Sequence, residues 1–209
     1  MHNSTAQALL FDVGGVVVDI DFNRALRAWS AHSLLSPDEL KRRFQFDTAY
    51  ERHERGEIEA NDYFDHLAST LQLTATREDI ASGWNAIFVA EITATRRLVE
   101  AARTTLPCYA FTNTNASHLA CWTRLFPEVV AAFDGIFASH QIGLRKPELA
   151  AFEHICRATD IPAESFLFFD DLPENVHAAS EAGLQAVLVR CPADVARALR
   201  GLGCNLGDR

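Results

Sequence analysis

Five short apolar runs recur along the chain, at Ala8–Phe11, Cys108–Phe111, Gly135–Ala138, Ser165–Phe169 and Gln185–Val189, each bounded by turn or capping residues. Each has the length of a buried strand. Helical patterns separate the later runs. Pro147 reads as the first turn of one helix, with Ala151, Ile155 and Thr159 following at four-residue spacing. Leu172–Ala182 reads as another, stopped by Gly183. Strands separated by helix-length crossovers predict an α/β fold, a Rossmann-like parallel sheet with helices on both faces.

From about Phe22 to Phe88 helix follows helix, with no strand candidate between them. Ser36-Pro37-Asp38-Glu39 has the composition of a capped helix start. Phe64, Leu67 and Leu71 fall on one helical stripe. The expectation is a small α-helical cap, residues 22–88, inserted after the first strand of a core built from residues 1–21 and 89–209.

A chain of 209 residues can bury a substantial core. Its net charge of −9 argues against nucleic acid as a partner, since phosphate-backbone binding depends on clustered Lys and Arg. The five cysteines form no C-x-x-C pair and no zinc-like spacing, which fits a reducing compartment. Residues 1–7 are polar, without the pattern of a signal peptide. No apolar run approaches the roughly 20 residues of a membrane span. A cytoplasmic protein with no membrane partner is expected, as a monomer or weak homodimer.

Four polar sites stand at the C-terminal ends of the strands or between them, at the edge where open parallel sheets bind ligands. Asp12 ends the first strand and is followed by Gly14 and Gly15. Thr112-Asn113 ends the second, Asp170-Asp171 ends the fourth, and Lys146 lies between the third and fourth. These sites need one another. A carboxylate attacking a phosphomonoester meets the repulsion of two anions. A magnesium ion held by Asp12 and a second acidic residue bridges to the phosphate and relieves it. The Lys146 ammonium neutralises further charge, while the Thr112 hydroxyl and Asn113 amide fix phosphate oxygens. Attack forms an acyl phosphate on Asp12, which water hydrolyses. Gly14 and Gly15 let the main chain pass close to metal and phosphate, and the Gly14 carbonyl is a further ligand candidate. Singly, each element has an ordinary reading as a cap, a turn or a surface charge. Their order and shared edge carry the functional one.

With these residues in place, the chain resembles the haloacid dehalogenase-like (HAD) phosphohydrolase superfamily. Its four motifs map onto Asp12, Thr112, Lys146 and Asp170-Asp171, and its small cap lies between the first two. The segments Val18-Asp19-Ile20-Asp21-Phe22-Asn23-Arg24, His53-Glu54-Arg55-Gly56-Glu57-Ile58 and Arg145-Lys146-Pro147-Glu148 resemble its YihX-like branch of α-D-glucose-1-phosphate phosphatases. The resemblance implies a Mg²⁺-dependent phosphatase of small phosphorylated metabolites. It also implies Asp171 as the direct metal ligand, with Asp170 behind it or binding through water.

Most HAD phosphatases carry a second Asp where this chain has Gly14. That acid protonates the leaving alkoxide and later activates water, work worth roughly 10²–10⁴-fold. The YihX-like branch resembles this chain in having glycine there. A sugar 1-phosphate fits the omission, because its anomeric oxygen leaves as a hemiacetal hydroxyl and depends less on a proton donor. His53 is the candidate for a substitute acid, against a reading as a solvated histidine in a charged run. Arg55 reads either as a contact to substrate hydroxyls or phosphate, or as half of a surface ion pair. Trp84 reads as packing, and His118, His140, His154 and His177 have no motif around them. The rival reading is a phosphosugar-binding protein that turns over slowly or not at all, for which Gly14 is the only support.

Overall fold

The computed structural model describes residues 6–207; residues 1–5 and 208–209, at the two ends of the expected core, lie outside the described residues. Along the chain run β1 (Ala8–Phe11), β2 (Val18–Ile20), α1 (Phe22–Ser30), α2 (Pro37–Arg43), α3 (Thr48–Glu54), α4 (Ala60–Thr70) and α5 (Arg77–Asn85). Then come β3 (Phe88–Glu91), α6 (Thr93–Arg103), β4 (Cys108–Thr112), α7 (Ala116–Leu125), α8 (Pro127–Ala131), β5 (Gly135–Ala138) and α9 (Ser139–Ile142). The chain closes with α10 (Leu149–Thr159), β6 (Phe166–Asp170), α11 (Pro173–Glu181), β7 (Gln185–Leu188) and α12 (Pro192–Gly201).

The five expected runs form one parallel sheet in the order β5-β4-β1-β6-β7. β1 lies at its centre and is buried on both faces, which is why its sequence shows no alternation. Leu9 and Phe11 pack on one side with Val99, Trp122, Val195 and Leu199, from α6, α7 and α12. Leu10 packs on the other with Phe152, Ile155 and Ala178, from α10 and α11. The fold is therefore the Rossmann-type α/β arrangement, and every strand delivers its C-terminal end to the same edge.

Two details depart from the sequence reading. Pro147 does not open a helix: it follows a cis peptide from Lys146, Glu148 is extended, and α10 starts at Leu149. The predicted buried stripe survives at Ala151 and Ile155. The second departure is a two-stranded antiparallel ribbon, β2 with β3, at the two ends of the helical stretch. β2 has three residues and β3 shows no apolar alternation, so neither carried a strand signal.

Between the ribbon strands, α1–α5 pack around their own apolar cluster, with Trp29, Tyr63, Phe64, Leu67, Leu71 and Trp84 buried. Ser36 caps α2 by accepting from the Glu39 N–H, as its sequence foretold. Thr76 and Asp79 make a reciprocal capping box on α5. Gly56, just past α3, has a positive φ of 70°, and a β-carbon there would overlap the His140 carbonyl at the end of the sheet. Only glycine lets the helical part approach the sheet edge so closely.

Candidate active site

At the C-terminal edge of the sheet lies a cavity of about 520 Å³, floored by Asp12, Thr112, Lys146 and Asp171 and roofed by Phe46, Tyr50 and Glu54. Asp12 follows β1 directly; its N–H donates to the Phe169 carbonyl at 2.8 Å, so the sheet ladder fixes its backbone. Its Oδ1 accepts from the Val13 N–H at 2.6 Å and from Lys146 Nζ at 2.8 Å.

Lys146 is almost fully buried, with 1% of its surface exposed. Its ammonium donates to three oxygens: Asp12 Oδ1 at 2.8 Å, Asp170 Oδ2 at 2.7 Å and the Phe111 carbonyl at 3.0 Å. Burial opposes the charge, but the two carboxylates outweigh it and hold the ammonium above the usual lysine range. Asn113 holds the lysine loop, because its amide accepts from Lys146 N–H at 2.8 Å and donates to Lys146 O at 2.9 Å. That side chain serves the lysine first. The Thr112 hydroxyl has only a 3.5 Å contact with the Asn113 carbonyl and lines the cavity.

Oxygens of Asp12, Asp170 and Asp171 all lie within 4.8 Å of one another. Burial drives the Asp12 carboxyl up to about 8, with Lys146 pulling down and Asp170 and Asp171 adding to the rise. Burial and then the Asp170 charge raise Asp171 as well. Carboxylates that push protons onto one another in a buried corner fit a hard divalent cation. The two neighbours differ in what remains free to bind one. Asp170 is fully buried and accepts hydrogen bonds from Lys146 Nζ, from the Leu172 N–H and, at both of its oxygens, from Asn175 Nδ2. Asp171 is half-buried and lies on Gly15, where a β-carbon would overlap its Oδ2. Gly15 therefore serves as a seat for Asp171.

The cavity thus gathers Asp12, Gly14, Thr112, Asn113, Lys146 and Asp171, and Asp170 stands behind them. It does not gather His53 or Arg55. His53 is buried against Tyr63, its Nδ1 is 3.3 Å from the Ile58 carbonyl, and burial lowers its pKa. A histidine that does not line the cavity is no proton donor to it, and at 3% exposure the solvated alternative fails as well. Arg55 is turned to Glu148, which accepts from its Nε at 2.7 Å, and to Glu51 at 3.6 Å. It is a half of an ion pair that joins α3 to the start of α10.

Sequence reasoning passed over Glu54, Tyr50, His118 and Asn175, all of which line the cavity. Glu54 lay hidden in a charged run that reads as a solvated face, yet its side chain is 4% exposed. Only the placement of α3 over the sheet edge reveals it. Asn175 had a findable signal, five residues after Asp170 at the opening turn of α11.

A family model described as haloacid dehalogenase-like hydrolase matches residues 6–183. The chain is 24% identical over 182 residues to the D-ribitol-5-phosphate phosphatase of Bacteroides thetaiotaomicron, covering 85% of this chain and 88% of the relative. It is 31% identical over 186 residues to the sesquiterpene phosphatase astK of Aspergillus oryzae, covering 87% and 88%. A solved HAD family enzyme of Bacteroides thetaiotaomicron, in complex with magnesium and inorganic phosphate, aligns with a TM-score of 0.79 at 24% identity. That alignment covers 88% of this chain and 94% of the other, and it is a likeness of fold.

Proposed function

This chain belongs to the haloacid dehalogenase-like hydrolase family, and we propose that it hydrolyses sugar phosphates, with α-D-glucose 1-phosphate the type substrate, through a phosphoryl group carried on Asp12. At the coarser level it is an enzyme, a phosphatase of small phosphorylated compounds, as are its relatives. The observation that carries the phospho-aspartate chemistry is the bond from Lys146 to Asp12 beside a second acid, Asp171, whose seat on Gly15 leaves it facing the same space; the sugar 1-phosphate rests on Gly14.

Magnesium is the cofactor of this reading; Asp12, Asp171 and the Gly14 carbonyl would hold it, with Asp170 in support, and it would neutralise carboxylate and phosphate charge in one place. Asp12 Oδ attacks phosphorus as the bond to the substrate oxygen breaks and that oxygen takes a proton from solvent; a water then attacks phosphorus of the acyl phosphate, releasing inorganic phosphate and restoring the carboxylate. Lys146 offsets negative charge on the attacking group and the phosphoryl oxygens, and the Thr112 hydroxyl takes one of those oxygens. Gly14 supplies no proton to the leaving oxygen. The anomeric oxygen of a 1-phosphate tolerates that omission best.

A second reading has its own observation. Val18, Ile20, Phe22, Phe46 and Phe88 give the cavity an apolar part of its lining, and a 31% identical relative is a sesquiterpene phosphatase. An apolar phosphate ester would fit that lining. Cytoplasmic residence is part of the proposal, in keeping with five cysteines of which none is paired.

A panel of phosphorylated metabolites, assayed with Mg²⁺ and with EDTA on wild type and Asp12→Asn, tests the whole. Hydrolysis is expected only with wild type and Mg²⁺. Full activity of Asp12→Asn sinks the mechanism, and binding without a single turnover leaves the non-catalytic phosphosugar-binding reading in its place.

A further inference from the structure

We propose that Glu54 is the specificity residue of this site, a fixed carboxylate on the roof that accepts hydrogen bonds from hydroxyl groups of the substrate's organic part. The inference rests on the phosphatase reading above and decides between its two substrate classes.

The geometry has three parts. Glu54 ends α3, lines the cavity and is nine-tenths or more buried. Its Oε2 accepts from Arg145 Nε at 2.9 Å. Arg145 is the residue before Lys146, and its Nη1 is 3.3 Å from Glu51 as well. The carboxylate is thereby locked between the helical roof and the loop that carries Lys146. Burial raises the Glu54 carboxyl, against the Arg145 guanidinium, the Tyr50 hydroxyl and the Lys146 ammonium.

A desolvated carboxylate with acceptor capacity left over is costly unless a donor reaches it. An alkyl chain filling the cavity would strip it of water and supply no donor. A polyol would supply one, and its ring face would still lie on Ile20 and Phe22. Apolar lining and buried acid together thus match an amphipathic ring with hydroxyls on one edge. Glu54 takes no part in bond breaking in this assignment. A role as proton donor is distinguishable, because it would act on kcat in proportion to how poor the leaving group is.

The test compares α-D-glucose 1-phosphate with cyclohexyl phosphate, a ring ester of similar size without hydroxyls, on wild type, Glu54→Gln and Glu54→Asp. Each ester is read as variant over wild type, so that the poorer leaving group of cyclohexyl phosphate cancels. Glu54→Gln should lower kcat/KM for it by about 10- to 100-fold, mainly through KM, as loss of a hydrogen bond to a charged group does. Cyclohexyl phosphate should stay within about threefold, and Glu54→Asp should follow in the same direction. Equal losses on both esters, no loss on either, or an effect confined to kcat each overturns the assignment. Asp12→Asn, assayed alongside, keeps the two questions apart: it should abolish both esters whatever Glu54 does, and its activity would remove the phosphatase mechanism alone.

Discussion

A β-carbon on Gly14 would stand 3.0 Å from Ile20 Cδ1, so an apolar side chain fills the direction in which a second acid would extend from the strand exit. The missing carboxylate and the residue that covers its place are one feature. Gly14→Asp alone should therefore gain little: the new carboxylate is desolvated by Ile20 and faces Asp12, at a stability cost of about 1–3 kcal/mol. Gly14→Asp combined with Ile20→Ala opens the space. The double variant should raise turnover of 6-phosphates relative to 1-phosphates by about tenfold or more. Steady-state rates on glucose 6-phosphate and glucose 1-phosphate check this, and an unchanged ratio would refute the leaving-group argument.

Lys146 neutralises two buried carboxylates at once, Asp12 at 2.8 Å and Asp170 at 2.7 Å. Lys146→Met keeps much of the volume and removes the charge. Leaving both acids uncompensated should cost about 3–5 kcal/mol, the usual penalty for breaking a buried pair from one side. Urea denaturation reads the loss directly. Because acids without a lysine are more easily protonated, Lys146→Met should also lose turnover. A variant as stable and active as wild type would show that these contacts do not operate in solution.

The sheet and three of the four polar sites were legible because each depends on local sequence: an apolar run, then a polar residue at its end. Asp12, Thr112 and Asp170-Asp171 follow from that rule, and the parallel pairing of β1 with β4 and β6 brings them together. What stayed hidden depends on contacts between distant segments. Glu54 and Arg55 are neighbours in one charged run, yet one turns into the cavity and the other to Glu148. Nothing in the run itself says which, because the difference is set by how α3 seats on the sheet edge at Gly56. The β2–β3 ribbon was equally hidden, as Val18 and Glu91 pair across the whole helical insert.

Gly15 is committed to a left-handed backbone, φ 75°, and to contact with the Asp171 carboxylate. Gly15→Ala should cost about 1–2 kcal/mol in backbone strain. It should also push Asp171 off its seat, for a β-carbon has no room beside that carboxylate. The expected outcome is a Mg²⁺ requirement shifted upward by about tenfold or more, the size of effect seen when support around a metal site is lost. Titration of activity with Mg²⁺, together with calorimetric Mg²⁺ binding, measures it. An unchanged Mg²⁺ midpoint would remove Asp171 from the metal set.

His118 on α7 ties the core to the helical part through Trp84 on α5: its ring stacks on Trp84 at 4.3 Å and its Nε2 lies 3.0 Å from the Trp84 carbonyl. Burial pushes its pKa down to about 3, against that hydrogen bond, with His53 adding to the fall. A histidine with a lowered folded pKa is neutral in the folded protein and takes up a proton on unfolding. Its contribution to stability is complete above the unfolded value near 6.5 and is lost as pH falls below it, by about 1.4 kcal/mol per pH unit at the steepest. His53 and His140, also lowered by burial, act in the same direction. Asp12, Glu54 and Asp171, raised by burial, act in the opposite direction, so the His118 share is read as the difference in urea midpoint between wild type and His118→Gln from pH 6.5 to pH 5. His118→Gln cannot take up the proton, so it should lose stability at pH 7, through the lost stacking, and its deficit against wild type should shrink toward pH 5. Parallel pH profiles for the two proteins would mean that His118 is not what makes the contact between core and helical part sensitive to acid.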